Sequence, residues 1–268
     1  MLKSLTPPNS RRSLFSTVLS LAPLWCVLLA LLLSGLLIRL SGVSPIAAYA
    51  ELLRSAFGGS RQITETLLKA TPILIVALGL TIAFRARVWN IGAEGQYHMG
   101  ALFGGAIALW FPDAPAGVLI PLMLAAGVLG GMAWSALAGL LHLKRGVNLI
   151  ICTLMLNYIG ILIVQYAARV PLREPDGFLP ESASLSDAAQ LPRLIGRLHI
   201  GLAIALVLVL VIYLLLWRSP LGFRLRAIGA QQTVSEYVGI QPARHIFIAL
   251  LLSGGAAGLA GIIEVRYT

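Results

Sequence analysis

One polar insertion constrains this chain more than any other feature. Arg85-Ala86-Arg87-Val88-Trp89-Asn90-Ile91-Gly92-Ala93-Glu94-Gly95-Gln96 lies between two short apolar stretches in a sequence otherwise built of long ones. Apolar stretches occupy residues 18–38, 71–84, 97–111, 117–143, 147–168, 200–217 and 246–263. A helix needs roughly 20 apolar residues to cross a bilayer, with a working range of about 17–25. Five of the seven stretches qualify, whereas 71–84 and 97–111 fall short and flank the insertion. They are expected either to be completed by semi-polar residues or to be broken inside the protein. Backbone and carboxylate at membrane depth survive only against protein or a water-filled cavity, so the insertion marks a possible solute path.

Composition supports lipid as the solvent. With 58% apolar and 11% charged residues, the chain is far from the quarter or so of charged residues in soluble domains. The net charge of +10 would suit nucleic acid in a soluble protein, but no basic stripe with interleaved aromatics occurs, which excludes that partner. Cys26 and Cys152 both sit in apolar runs, where a thiol acts as a small hydrophobe, so neither a disulfide nor a metal site is expected. Lys3, Arg11 and Arg12 precede the first apolar stretch. That stretch is too long for a signal-peptide core and no small-residue cleavage site follows, so it reads as an uncleaved first span.

The expected fold is all-α, a polytopic transmembrane helix bundle of about seven spans in a single membrane domain covering 1–268. Basic residues set the orientation. With the N-terminus cytoplasmic, the inner segments hold Lys3, Arg11, Arg12, Arg85, Arg87, Lys144, Arg145, Arg218, Arg224, Arg226 and Arg244, 11 of the 20 Lys and Arg. Ser44-Pro45 is a helix start signal, and Ile46, Tyr49, Leu52, Leu53, Ala56 and Phe57 share one face, predicting a helix along the membrane interface that ends at Gly58-Gly59-Ser60. The proline-rich stretch 169–197 predicts an exposed loop with one short helix near 184–190. Gly100 with Gly104, Gly127 with Gly131 and Gly254 with Gly258 are spaced for close helix packing, within the bundle or between subunits.

Candidate functional residues fall in three places. Asn90, Glu94 and Gln96 offer donors and acceptors to a polar solute beside two turn-permitting glycines. A carboxylate beside hydrocarbon costs about 2.5–3.5 kcal/mol on insertion scales. Glu94 is therefore expected to pair with Arg85 or Arg87, to face water, or simply to pin a hairpin. Thr153, Asn157 and Tyr158, following Asn148, are expected on one stripe that either bonds neighbouring helices or lines the path. His98, His142 and Glu264 lack spaced partners and do not read as metal ligands. Residues 218–245 form the longest inward segment. It is read as a basic, turn-rich loop carrying a short helix, with Thr233 and Glu236 as a capping box and Gly239 as its stop. Such a helix needs a packing partner, a protein or the lipid headgroups.

Several of these blocks resemble one family. Asn90-Ile91-Gly92-Ala93-Glu94-Gly95-Gln96, with Ala70-Thr71-Pro72-Ile73-Leu74 and Ala83-Phe84-Arg85 before it, is similar to the signature of ABC-transporter permeases for nucleosides and simple sugars, within the branched-chain-type permease superfamily. Thr153-Leu154-Met155-Leu156-Asn157-Tyr158, Gly222-Phe223-Arg224-Leu225-Arg226-Ala227-Ile228-Gly229 and the run from Gly254 to Gly261 match as well. The resemblance implies a permease subunit of the inner (plasma) membrane that imports a nucleoside, otherwise a simple sugar, by alternating access. Its implied partners are a cytoplasmic ABC ATPase, a second and related permease, an extracytoplasmic solute-binding protein and membrane lipid. It also implies that the helix near Thr233 couples to the ATPase, with Arg224, Arg226, Gly229, Glu236, Tyr237 and Gly239 around it.

Leu149 departs from the glutamate usual after Asn148. Because the sequence stops at Thr268 while family members run on, helices at the C-terminal side are expected to be missing. No phosphate-cradling Gly-x-x-x-x-Gly-Lys motif occurs, so the chain is not expected to be an enzyme or to hold a cofactor, and ATP would be hydrolysed on a separate subunit. The alternative weighed is an ion-coupled transporter with Glu94 as its coupling carboxylate.

Overall fold

The computed structural model describes residues 22–174, 182–183 and 185–265. It divides into two compact units, residues 1–63 and 64–268. Among the described residues, six helices are long and apolar enough to cross a membrane, which makes the chain an all-α, multi-pass membrane protein.

In the first unit, α1 (Ala22–Leu40) turns at Gly42 into α2 (Pro45–Phe57). Ser44 in extended backbone followed by Pro45 starts α2, as the sequence predicts, although the serine side chain makes no capping bond. The two helices are pinned by Tyr49, whose hydroxyl donates to the Leu31 carbonyl at 2.6 Å and lies 2.8 Å from the Ser34 hydroxyl.

The second unit contains most of α3 (Ser60–Arg85), then α4 (Ala93–Trp110), α5 (Ala116–Arg145), α6 (Leu149–Arg169), α7 (Gly201–Arg218), α8 (Pro220–Ala230), α9 (Gln232–Tyr237) and α10 (Pro242–Glu264). The short apolar stretches 71–84 and 97–111 belong to continuous helices of 26 and 18 residues, extended by semi-polar residues. Pro72 is tolerated within α3, where the Thr71 hydroxyl donates to the Leu67 carbonyl at 2.8 Å in the turn the proline disturbs. A two-stranded hairpin, β1 (Arg193–Ile195) and β2 (Leu198–His199), precedes α7 where the sequence predicts only a loop. The short helix expected near 184–190 is a 3-10 turn at Asp187–Ala189.

Helix α10 is the most buried of the spanning helices and packs on both α4 and α5. Glycine makes this possible. A β-carbon on Gly100 would overlap the backbone of Gly258, one on Gly258 would overlap the Gly127 carbonyl, and one on Gly131 would overlap the Gly254 carbonyl. The predicted glycine pairs therefore pack within the subunit. Lipid tails supply no hydrophobic drive between helices, so close backbone contact and its dispersion energy take over.

At the opposite extreme of chemistry, the segment 86–92 connects α3 to α4 under an apolar cluster. Ile82, Ala83, Ala86, Val88, Leu149, Leu216, Leu225 and Leu250 meet there. Leu149 is buried in this cluster, which gives a physical reason for an apolar side chain at that position.

Candidate functional site

The polar insertion folds as a hydrogen-bonded lock at the start of α4. Asn90 is 2% exposed. Its amide nitrogen donates to the Gln96 Oε1 at 2.9 Å and to the Ser253 hydroxyl of α10 at 3.0 Å. Its carbonyl oxygen accepts from the Gly92 backbone N–H at 3.1 Å and from the Gln96 amide at 3.0 Å. A carboxamide has two donor hydrogens and two acceptor lone pairs. All four are used internally, so Asn90 has no bond left for a solute in this state.

Asn157 forms a second lock. Its Oδ1 accepts from the Gly95 backbone N–H at 2.7 Å and its Nδ2 donates to the Ile91 carbonyl at 2.8 Å, joining α6 to both sides of the Gly92 turn. Gly95 has to be glycine for this contact, because a β-carbon would lie 2.8 Å from the Asn157 Cα. Thr153, one turn earlier, is buried and bonds its own helix at the Ile150 carbonyl, 3.1 Å away.

The expected stripe of Thr153, Asn157 and Tyr158 does not form as one face. Thr153 and Asn157, four residues apart, point into the bundle, while Tyr158 is 60% exposed together with Leu162 and Tyr166. One residue is a rotation of about 100° on a helix of 3.6 residues per turn, which carries Tyr158 onto the outer face. Asn148 is the N-cap of α6, accepting from the Ile150 and Ile151 N–H groups at 3.0 and 3.3 Å. That role satisfies two of the helix's free amides.

Glu94 is exposed and makes no ion pair with Arg85 or Arg87 among the described residues. The expected partner Arg85 instead stacks on Trp217, its Cζ 5.1 Å from the ring centroid. Glu264 pairs with Lys69 at 3.6 Å, and the His142 Nδ1 lies 2.8 Å from the Val147 carbonyl. Among the described residues, no three His, Cys, Asp or Glu side chains converge where a metal could sit.

The segment 218–245 is more ordered than the sequence suggested. Residues 220–230 are not a turn-rich loop but helix α8, with Ser219 as N-cap accepting from the Gly222 N–H at 3.1 Å and Pro220 in the first turn. Ser219-Pro220 repeats the Ser44-Pro45 signal and could have been read. The capping box is also absent: Gln231 occupies the N-cap position of α9, Thr233 lies within the helix, and the Glu236 carboxylate accepts from the Gln232 amide at 3.4 Å. Gly239 does stop the helix. With φ at +81° it lets its own N–H reach the Glu236 carbonyl and the Ile240 N–H reach Ser235, each at 3.0 Å.

Tyr237 on α9 is 87% exposed, with Val234 and Val238 open beside it, and Arg224 of α8 is exposed as well. A recess of about 390 Å³ lies alongside, lined by Arg87, Trp89, His142, Asn148, Ile228 and Gln232 among others. It is the place where the insertion, the start of α6 and the α8–α9 segment come together.

The chain is a multi-helix membrane body whose α3–α4 connection is tied into the bundle by buried amide bonds. Sequence comparison places it more closely. Residues 62–268 match the family described as branched-chain amino acid transport system / permease component, and the chain belongs to that family. It is 34% identical over 251 residues to the guanosine ABC transporter permease protein NupP of Bacillus subtilis, covering 91% of this chain and 71% of that protein. It is 32% identical over 259 residues to the glucose ABC transporter permease protein TsgB13 of Haloferax volcanii, covering 91% and 67%. Against the nucleoside ABC transporter permease protein NupB of Lactococcus lactis, identity is 30% over 253 residues, covering 91% and 70%. No solved structure matches. Permeases of this family are not themselves catalytic, and the chain is a multi-pass protein of the inner membrane.

Proposed function

We propose that the chain is the permease subunit of an ATP-driven importer for a nucleoside, or failing that a simple sugar, working by alternating access beside a second and related permease. An extracytoplasmic binding protein delivers the solute, and a cytoplasmic ATPase pair drives the cycle through α9. The N-terminus is then cytoplasmic. The single observation that carries this reading is the exposed surface of Val234 and Tyr237 on a six-residue helix, with Val238 at its C-cap, held by the folded α8 and closed by Gly239. A helix this short is marginal in water by itself, so a surface of this kind is expected to be covered.

The solute preference rests on the relatives, two of the three described above being nucleoside-type. Tyr158 with Tyr166 on the outer face of α6 supports a path formed against the second permease, since a phenol at membrane depth favours a polar partner. Asn90, Gln96, Thr153 and Asn157 then shape the path from behind as locks, and Glu94 supplies its exposed carboxylate at the end of the bundle.

The test is co-purification of the nucleotide-binding subunit in detergent. Tyr237→Asp is expected to lower its recovery at least about tenfold, as for a truncated interface anchor; undiminished recovery would defeat the coupling assignment. Uptake of guanosine against glucose into proteoliposomes, with ATP supplied on the inner side, ranks the solutes. Uptake driven by an ion gradient without ATP would instead restore Glu94 as a coupling carboxylate.

A further inference from the structure

Trp217, near the end of α7, holds two guanidinium groups. The Arg226 Cζ of α8 lies 4.5 Å from the ring centroid and the Arg85 Cζ, at the last residue of α3, lies 5.1 Å away. Both distances are within cation–π range. Neither arginine has an ion pair among the described residues, and the Arg226 Nε is buried with no hydrogen-bond partner. Like charges gathered at one ring repel, and with no carboxylate between them the electron-rich indole is what offsets that repulsion.

A backbone contact reinforces the same joint. A β-carbon at Gly229 would overlap the Arg85 carbonyl, so α8 is seated directly on the end of α3. Leu225 of the same helix is fully buried in one apolar cluster with Ala86 and Val88, and Ile228 is buried as well. Apolar contacts of that kind hold the helix down without fixing its direction, whereas two guanidinium groups over one ring and a backbone seat fix both.

From Arg85 the chain runs through residues 86–89 straight into Asn90 and its bonds to Gln96 and Ser253. On the other side, one residue, Gln231, separates α8 from α9. We infer that Arg85, Trp217, Arg226 and Gly229 form a positioning clasp that passes displacement of α9 through α8 into the 86–92 segment and the amide lock. The inference rests on reading α9 as the coupling helix. It assigns Trp217 a role in conformational coupling with no contact to solute or ATP. Removing the ring leaves two cations facing each other, while neutralising Arg226 also removes their repulsion, so Trp217→Leu is the more damaging change.

Spin-label distances in the assembled complex test this, with Cys26→Ala and Cys152→Ala as background. One label pair joins Thr233→Cys to Leu129→Cys and reports α9; the other joins Ile91→Cys to Leu129→Cys and reports the insertion. Between nucleotide-free and ATP/vanadate-trapped states, both distances shift in the parent. In Trp217→Leu the α9 shift persists while the Ile91 shift falls to less than about half, as expected when a two-state element is disconnected. Arg226→Gln loses less, and Trp217→Phe restores the shift by keeping a ring. An Ile91 shift in Trp217→Leu equal to the parent's would overturn the clasp, as would failure of Trp217→Phe to restore one that is lost. If α9 in the parent does not respond to nucleotide, the ATP-driven reading falls first and the clasp falls with it. ATPase co-purification with Trp217→Leu, expected to be unchanged, separates broken transmission from loss of docking.

Discussion

At Gly258 a β-carbon would strike the carbonyl of Gly127, whereas Tyr237 as a residue is 87% exposed. These two positions belong to regions built on opposite rules. The seam of α4, α5 and α10 brings backbones together through small residues and leaves no room for a side chain, because in lipid dispersion and close fit must supply the cohesion. The α8–α9 segment is held by an N-cap, a left-handed glycine and two arginines on an indole, and its outer surface remains open. Such a seam resists internal rearrangement, since packed interiors shift between discrete arrangements and do not deform smoothly. Movement imposed at α9 is therefore expected to displace packed helices as bodies, and the amide lock sits where the two regions meet.

The largest expected effect lies in the seam. Gly258→Leu forces side-chain volume against backbone that has no alternative rotamer, and overpacking of this kind costs at least about 1–3 kcal/mol. Loss of a monodisperse peak in detergent size-exclusion is the expected outcome. A variant that elutes and melts like the parent would show that the seam yields, and the contrast with α9 would lose its basis. Next comes the lock. Asn90→Leu preserves volume but strips partners from Gln96, Ser253 and the Gly92 N–H, and each buried polar group left unpaired costs about 1–3 kcal/mol. A fall in Tm of several degrees with retained ATPase binding is expected; an unchanged Tm would mean that water replaces the amide and the lock is loose.

How far the sequence anticipates this depends on the range of each interaction. The glycine pairs at four-residue spacing are legible because helix periodicity puts both members on one face whatever the partner is. The Ser44-Pro45 start is local for the same reason. Asn157 and Gly95 lie 62 residues apart, and Asn90 and Ser253 lie 163 apart, so nothing in either neighbourhood names the partner. Polar residues in apolar helices can be singled out, as Asn90, Gln96 and Asn157 were, but whether they face a solute or each other depends on tertiary packing. The stripe with Tyr158 fails on periodicity alone, since five residues are about 1.4 turns and end about 140° from the starting face. Proximity in sequence offers Glu94 either Arg85 or Arg87, or water; the carboxylate is exposed, and the distant Trp217 holds Arg85 instead.

The smallest expected effect separates two cap signals that look equally good as text. Ser219 precedes Pro220 and its hydroxyl accepts the Gly222 N–H, so Ser219→Ala should cost about 1 kcal/mol and be read as a lower Tm. Thr233 and Glu236 fit a capping box, yet α8 runs to Ala230 and leaves Gln231 to serve both helices. The Gln231 N–H closes α8 on the Ala227 carbonyl at 3.1 Å, and its own carbonyl accepts the Ser235 N–H at 3.1 Å. With the N-cap position already taken, the Thr233 hydroxyl has no helix end to cap. Thr233→Ala should therefore change stability by less than about 0.5 kcal/mol, as for an exposed surface substitution. Measured side by side in thermal melts, a Thr233→Ala loss as large as that of Ser219→Ala would mean that α9 starts at Thr233 and that the one-residue link to α8, on which transmission through the clasp depends, is longer and softer.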